Sequence, residues 1–164
     1  MASSWSFRAS GPFASATATF AAALDELRPE LRGSGGAATP MAARSGAPSA
    51  APVTLVIGTM ADKDVDGLVA ALGTSRSLAG ARVIATAVPG GRAMAPGALA
   101  ARWQAAIPAS DVQVAVDPAA ALDRAVTTAE GPVVVAGSLY LVGAARARLV
   151  DDPELRDPDV AGPA

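Results

Sequence analysis

A single lysine lies between two carboxylates in the loop 58–64, where Asp62, Lys63 and Asp64 follow one another. Lys63 is the only lysine among the 13 basic residues, and the others are all arginines. Its ammonium is a compact point charge with rotatable donors, which suits contact with a phosphate or carboxylate of a ligand. The alternative is a solvated turn in which Lys63 only neutralises its neighbours, since structural ion pairs also cluster on loops. The spacing by itself favours the solvated turn.

That lysine-bearing loop is flanked by the patterns of a strand and a helix. The β-branched run Val53–Ile57 predicts a strand buried on both faces, as in parallel sheets. Apolar residues then recur at helical spacing as far as Leu72 and predict a helix that Asp62 or Asp64 caps and Gly73 ends. In open α/β sheets, ligands bind beyond the carboxyl ends of the strands. The loop is therefore the first place where we expect a site.

Two later loops carry polar groups at the ends of predicted strands. Arg92 follows Gly90 and Gly91, and its guanidinium suits a phosphate or carboxylate, although such a residue by itself is more often a surface arginine. Ser138 places a hydroxyl at the start of a predicted helix, two residues before Tyr140, where free backbone N–H groups favour an anion. The simpler interpretation is that Ser138 caps its own helix.

Strand and helix patterns alternate through the rest of the chain. The predicted strands are Arg82–Val88, Val112–Val116 and Pro132–Ala136, of which the second alternates and is expected nearer an edge. Helices are predicted to open near Pro96 and at Asp117. This alternation predicts a Rossmann-like α/β domain with a mostly parallel sheet between helices. The predicted apolar faces of the last three helices are Leu99, Trp103 and Ala106; Ala121, Leu122, Ala125 and Val126; and Leu141, Val142, Ala145 and Leu149.

The ends of the chain and one internal stretch lack such patterns. We expect residues 1–13 to be disordered or aberrant, residues 33–52 to be a flexible insertion and residues 151–164 to be a disordered acidic tail. Residues 14–150 then form one domain, which opens with a helix. The predicted apolar stripe of that helix is Phe20, Ala23, Leu24, Leu27 and Leu31.

The composition excludes several classes of function. Without cysteine or histidine, the chain has no disulfide, no zinc site of the usual kind and no Ser-His or Cys-His catalytic pair. A formal net charge of −2 argues against a nucleic-acid partner, because no basic stripe is available to contact phosphates. No apolar stretch approaches the length needed to cross a bilayer. We therefore expect a cytoplasmic protein with neither nucleic acid nor membrane among its partners.

Four motifs, taken together and in this order, resemble a known family. The motifs are Gly58-Thr-Met-Ala-Asp-Lys-Asp64, Gly91-Arg-Ala93, Asp117-Pro118 with Ala121-Leu122, and Ala136-Gly-Ser-Leu-Tyr-Leu-Val-Gly143. The set resembles the C-terminal domain of folylpolyglutamate synthase/dihydrofolate synthase, a relative of the Mur ligases. The resemblance covers residues 14–150. It implies a Rossmann-like domain that closes over an ATP-binding central domain.

The resemblance also implies a ligase reaction. Enzymes of this family use ATP and Mg²⁺ to phosphorylate a folate or dihydropteroate carboxylate, and the amine of glutamate then attacks the acyl phosphate. Such chemistry depends on positioning and electrostatic stabilisation more than on a protein nucleophile. By motif position, the resemblance implies no catalytic residue and no metal ligand in this chain, but a nucleotide or substrate cleft formed by Asp62, Lys63, Asp64, Arg92, Ser138 and, packed beside it, Tyr140.

Two departures from the family's pattern limit the activity that we expect. The family's central domain carries a glycine-rich phosphate loop ending in Gly-Lys-Ser/Thr, and this sequence has none. The family's Asp-Gly-Ala-His-Asn-Pro motif corresponds to Arg8–Pro12 here, which keeps only the proline. We expect a truncated ligase chain that is inactive alone and could at most complement a separate ATP-binding ligase domain, with ATP and Mg²⁺ used by the complete enzyme and neither bound tightly by this chain. The alternatives are a stand-alone nucleotide- or anion-binding module and an inert gene fragment.

Overall fold

A computed structural model of the protein describes residues 12–27 and 51–150. The expectations for the two chain ends, the 33–52 insertion and Leu31 fall wholly or mostly outside these residues. The described part contains five helices and four strands in alternating order after the first helix. They are α1 (Pro12–Glu26), β1 (Thr54–Ile57), α2 (Val65–Gly73), β2 (Arg82–Thr86), α3 (Pro96–Ala106), β3 (Asp111–Ala115), α4 (Pro118–Thr128), β4 (Val133–Ala136) and α5 (Leu139–Leu149).

The four strands form one parallel sheet in the order β3-β2-β1-β4. Strand β1 lies inside the sheet and all of its residues are buried, which confirms the predicted strand buried on both faces. Strand β3 lies at an edge, as its alternating sequence predicts. The chain leaves β1 towards β2 on one side and later returns to β4 on the other. The order of the strands therefore reverses between β1 and β4, and such a switch point is where open α/β sheets bind ligands.

Helices cover both faces of the sheet, which confirms the predicted α/β architecture. On one face, α1, α2 and α3 pack against side chains such as Leu55, Ile57 and Val83. On the other face, α4 and α5 pack against side chains such as Val56 and Ile84. Successive residues of a strand point to opposite faces, so β1 contributes to both cores. None of the helices in residues 12–27 and 51–150 has the length and apolar character that a bilayer crossing requires.

Three helices begin at side-chain caps in the described chain. Asp64, and not Asp62, caps α2, with the Gly67 N–H 2.9 Å from its Oδ1. Asp117 caps α4 in the same way through the Ala120 N–H at 2.8 Å. Ser138 caps α5. Each cap satisfies a backbone donor that the first helical turn leaves without a partner.

The predicted helix faces are correct at their centres and wrong at their margins. Leu99, Trp103, Ala121, Leu122, Ala125, Leu141 and Ala145 are all buried. Ala106, Val126 and Leu149 are exposed because they lie beyond the strip of each helix that touches the sheet. In α1 the buried stripe is Thr17, Ala21 and Leu24, and the predicted Phe20, Ala23 and Leu27 are exposed. The small Ala21 allows this helix to approach α2 with a different face.

Candidate ligand-binding site

A cavity of about 540 Å³ opens at the carboxyl ends of β1 and β4. We call it the switch-point cavity. One wall comes from the loop after β1, another from the turn between β4 and α5, and a third from α1. The residues from these three segments that line it are Thr59, Met60 and Lys63; Gly137, Ser138, Leu139, Tyr140 and Val142; and Ala16, Thr17 and Phe20.

Lys63, Ser138 and Tyr140 meet at this cavity although 75 residues separate the first two in sequence. They meet because β1 and β4 are parallel neighbours, with Ile57 opposite Ala136 at the end of each strand. The two loops therefore leave the sheet side by side. Three of the six residues implied by the family resemblance thus share one concave surface.

Two glycines allow these loops to pass each other closely. Gly137 has a φ of +104°, and a Cβ at this position would lie 2.5 Å from the carbonyl oxygen of Gly58. A Cβ on Gly58 would in turn lie 2.8 Å from the carbonyl oxygen of Thr86. A side chain at either position would push the strand ends apart, so the shape of the cavity depends on both glycines.

Arg92 forms an ion pair with Asp62 beside the cavity. Its Nη1 lies 2.8 Å from Asp62 Oδ2, and the side chains are 73% and 45% exposed. Backbone bonds hold their loops together, with the Ala61 N–H 2.8 Å from the Arg92 carbonyl oxygen. Neither Arg92 nor Asp62 is among the residues that line the cavity. An ion pair this exposed contributes little to stability, so Arg92 is able to exchange its partner for an anionic ligand.

Asp64 has a structural role in the described chain. Its carboxylate receives the Gly67 N–H at the first turn of α2, and it is not among the residues that line the cavity. The sequence places Asp64 next to Lys63, but the cap turns the carboxylate towards the helix. Of the six residues that the resemblance implies, Asp64 is therefore the one whose presence a structural role explains best.

Thr59 is a residue of the cavity that the sequence analysis did not single out. It is fully buried, and its Oγ1 finds no hydrogen-bond partner among the described residues. A buried hydroxyl without a partner is costly, which makes Thr59 notable in a cavity wall. The sequence does contain a sign that Thr59 belongs to a site, because it is the first polar residue after the buried strand β1.

The rim of the cavity is apolar and open to solvent. Leu139 and Tyr140 are 89% and 63% exposed at the start of α5. The walls combine this apolar surface with two polar residues, Lys63 and Ser138. Among residues 12–27 and 51–150, no group of three or more carboxylate, histidine or cysteine side chains is placed to hold a metal ion. The arrangement is suited to a ligand that is partly apolar and carries a negative charge.

The fold has clear relatives among solved structures. Folylpolyglutamate synthase of Mycobacterium tuberculosis, complexed with ADP and AMPPCP, matches 62% of this chain at 28% sequence identity with a TM-score of 0.52. The resemblance to folylpolyglutamate synthase is confirmed. The match covers 24% of that enzyme's chain, so this protein spans about a quarter of the length of the folylpolyglutamate synthase that it matches.

Two further folylpolyglutamate synthases give weaker matches. The enzyme of Thermotoga maritima is 32% identical over 59% of this chain and 21% of its own, with a TM-score of 0.46. The bifunctional folylpolyglutamate synthase/dihydrofolate synthase of Yersinia pestis, complexed with AMPPNP and Mn, is 22% identical over 58% of this chain and 22% of its own, with a TM-score of 0.47. No protein-family model and no curated protein matches the sequence.

Proposed function

We propose that this chain acts as the C-terminal domain of an ATP-dependent ligase that joins glutamate to a folate or dihydropteroate carboxylate. The observation that carries the proposal is the structural match to the folylpolyglutamate synthase of M. tuberculosis, which was solved with ADP and AMPPCP. The four motifs support it as well, since they occur in the same order as in the family. The first and the last of them border the switch-point cavity. In this proposal the protein has a role in folate and one-carbon metabolism.

In the proposed enzyme the domain supplies one side of the nucleotide and substrate cleft. Lys63 lies in the cavity wall and would neutralise a phosphate or carboxylate. Arg92 would contribute a second cation by leaving Asp62. Ser138 would offer a hydroxyl, and Tyr140 a ring at the apolar rim. These groups bind and orient, and none of them is proposed to act as an acid, base or nucleophile.

ATP and Mg²⁺ would supply the activation of the carboxylate. Their fit to this chain is partial. The cavity offers a cation, Lys63, that suits a phosphate, but the described residues offer no carboxylate cluster for the metal. The sequence also has no Gly-Lys-Ser/Thr phosphate loop. We therefore propose that the chain alone does not turn over ATP and that a separate ATP-binding ligase domain completes the site.

Isothermal titration of the purified full chain with MgADP, MgATP and glutamate tests this proposal. We expect weak, saturable binding of at least one nucleotide. Changing Lys63→Ala should weaken that binding about tenfold, because it removes a charged hydrogen-bond donor from the wall. The matched control is Arg148→Ala, which removes a cation at the other end of α5, where Arg148 pairs with Asp123.

Two results would count against the proposal. One is equal loss of binding in Lys63→Ala and Arg148→Ala, which would indicate a general charge effect. The other is ATP-dependent glutamate ligation by the chain alone at rates typical of an enzyme, about 1 per second or more. Restoration of ligation only on mixing with an ATP-binding ligase domain would support it directly.

A stand-alone nucleotide- or anion-binding module is the second candidate function. One observation favours it: three segments of the described chain already form a concave surface that Lys63 and Ser138 line together. Such a module binds its ligand fully without a partner domain. The titration separates the two candidates, because a ligase domain gains nucleotide affinity when the ATP-binding domain is added, and a stand-alone module does not. An inert fragment would bind none of the three probes under either condition.

A further inference from the structure

We propose that helix α1 is a separately anchored wall of the switch-point cavity and that Asp25 is the positioning residue that anchors it. The inference about the wall is independent of which ligand the cavity takes. Its consequence for binding rests on the proposed function. Asp25 itself does not line the cavity.

Helix α1 forms one side of the cavity through Ala16, Thr17 and Phe20. The other sides belong to the ends of β1 and β4, where Thr59 and Ser138 lie, and to α2 through Leu68 and Leu72. The two sides come from distant parts of the chain, because residues 28–50 separate α1 from the described part that contains β1. The cavity therefore has its present shape only while α1 stays docked.

A cluster of hydrogen bonds holds the end of α1 to the turn after α2. Asp25 Oδ1 accepts the Ser75 hydroxyl and the Ser77 N–H, each at 2.8 Å, and Oδ2 accepts the Arg76 N–H at 3.1 Å. The Ser77 hydroxyl completes the cluster by donating to the Leu24 carbonyl oxygen at 3.0 Å. Hydrogen bonds to a charged acceptor are stronger than neutral ones.

The apolar contact made by the described side chains of α1, residues 16–26, is thin, which gives this polar cluster its importance. Among the side chains described for α1, only Ala21 and Leu24 are buried apolar residues, and Phe20 is 36% exposed. Elements with few buried apolar side chains open at low free-energy cost and independently of the rest of a domain. Without the carboxylate of Asp25, we expect α1 to detach while the sheet remains folded.

A cysteine at a buried position of the same cavity tests whether α1 is docked. The chain has no cysteine of its own, so a single introduced thiol gives an unambiguous signal. Thr59→Cys puts that thiol at a fully buried position in the cavity wall. The measurement is the rate of its reaction with 5,5′-dithiobis(2-nitrobenzoate). This rate follows the population of the open form when α1 opens and closes quickly.

We expect the thiol at position 59 to react at least about tenfold faster when Asp25→Ala is added, because three hydrogen bonds to a carboxylate are lost. Asp25→Asn should give an intermediate rate, since the amide keeps one acceptor oxygen. The matched control is Glu26→Gln, which removes a carboxylate from the exposed neighbouring position and should leave the rate unchanged. An unchanged rate in Asp25→Ala would overturn the proposal.

A second thiol separates local detachment from general loosening. Ala125→Cys lies on α4, in the core on the opposite face of the sheet, and is fully buried. Its reaction rate should not respond to Asp25→Ala. An equal acceleration at positions 59 and 125 would mean that Asp25 supports the whole fold, and would also overturn the proposal.

Titration with MgADP then tests the link to binding, with Thr59 unchanged. If the protein binds MgADP, Asp25→Ala should weaken the affinity several-fold although Asp25 lies outside the cavity, because docking of α1 and binding are coupled. Unchanged affinity would show that α1 is not part of the binding wall. If the wild-type protein binds no probe, either alone or with an ATP-binding ligase domain, the proposed function fails, and the two thiol rates still decide whether Asp25 anchors α1.

Discussion

Gly137 is the residue on which the close approach of the two cavity loops depends most. Its φ of +104° lies in a region that favours glycine, and a Cβ would lie 2.5 Å from the Gly58 carbonyl oxygen. The unfavourable φ and the close contact both arise at this one position. The contact is with a backbone atom, so no flexible side chain can move away to relieve it. The neighbouring Ser138 then caps α5 and faces the cavity, so the glycine places both the helix and the hydroxyl.

Replacing this glycine should therefore lower the stability clearly. We expect Gly137→Ala to reduce the free energy of unfolding by about 3 kcal/mol, from backbone strain and overlap together. Urea denaturation measures the change. Gly143→Ala is the matched control, because it lies in α5 with open space around its Cβ position and should stabilise the helix by up to about 1 kcal/mol. If Gly137→Ala lowered the free energy of unfolding by less than about 1 kcal/mol, the overlap of its Cβ with the Gly58 carbonyl oxygen would be contradicted.

Helix α1 is the element whose position depends on charge. The pKa of Asp25 is held well below its usual range, chiefly by the hydrogen bond from the Ser77 N–H, against the opposing effect of burial. The hydrogen bonds from the Arg76 N–H and the Ser75 hydroxyl add to the lowering. The carboxylate form is thus the one that docks α1. Glu26 follows Asp25 on the helix, and Arg76 belongs to the turn whose N–H groups the carboxylate accepts.

A pH dependence of docking follows from this lowered pKa. Since the pKa of Asp25 is lower in the folded than in the unfolded state, its stabilisation is fully present above the unfolded value of about 3.9 and is lost as the pH falls below it. We expect amide hydrogen exchange in α1 to rise, relative to the sheet, as the pH is lowered from about 5 towards 3. In Asp25→Asn that relative rise should disappear. The same rise in both proteins would assign it to other carboxylates.

The whole described domain is held together by a sheet that serves two cores. Strand β1 contributes Leu55 and Ile57 to one core and Val56 to the other. Trp103 is buried in the first core, and Leu122 in the second. Because the strands are shared, neither core can open fully without disturbing the other, and we expect cooperative unfolding of the sheet with helices α2 to α5.

This sharing predicts an effect across the sheet. In a Trp5→Phe background, which leaves Trp103 as the one tryptophan of the sequence, Leu122→Ala should lower the free energy of unfolding by about 3 kcal/mol, and Trp103 fluorescence should report the same shift as far-UV circular dichroism. The control on the same helix is Val126→Ala, whose side chain is 56% exposed and whose effect should stay within about 0.5 kcal/mol. A shift seen by circular dichroism but not by the tryptophan would mean that the two cores unfold separately.

The sequence by itself determined the alternation of strands and helices, the parallel sheet and the caps at Asp117 and Ser138. These features depend on local patterns, such as apolar periodicity, proline at helix starts and short polar side chains before them. The same patterns, joined to four motifs, were enough to recognise the folylpolyglutamate synthase resemblance. They also placed Lys63 and Ser138 at strand ends, where the sheet later brings them together.

Only the tertiary structure decided which polar groups meet and which are used locally. Asp62 paired with Arg92, and Thr59 became a buried hydroxyl of the cavity wall. The buried face of α1 also differed from its most apolar stripe, and Asp25 beside it bonds to the turn after α2. Such contacts join residues far apart in the chain. Local spacing carries no information about them until the strands have paired and the helices have packed.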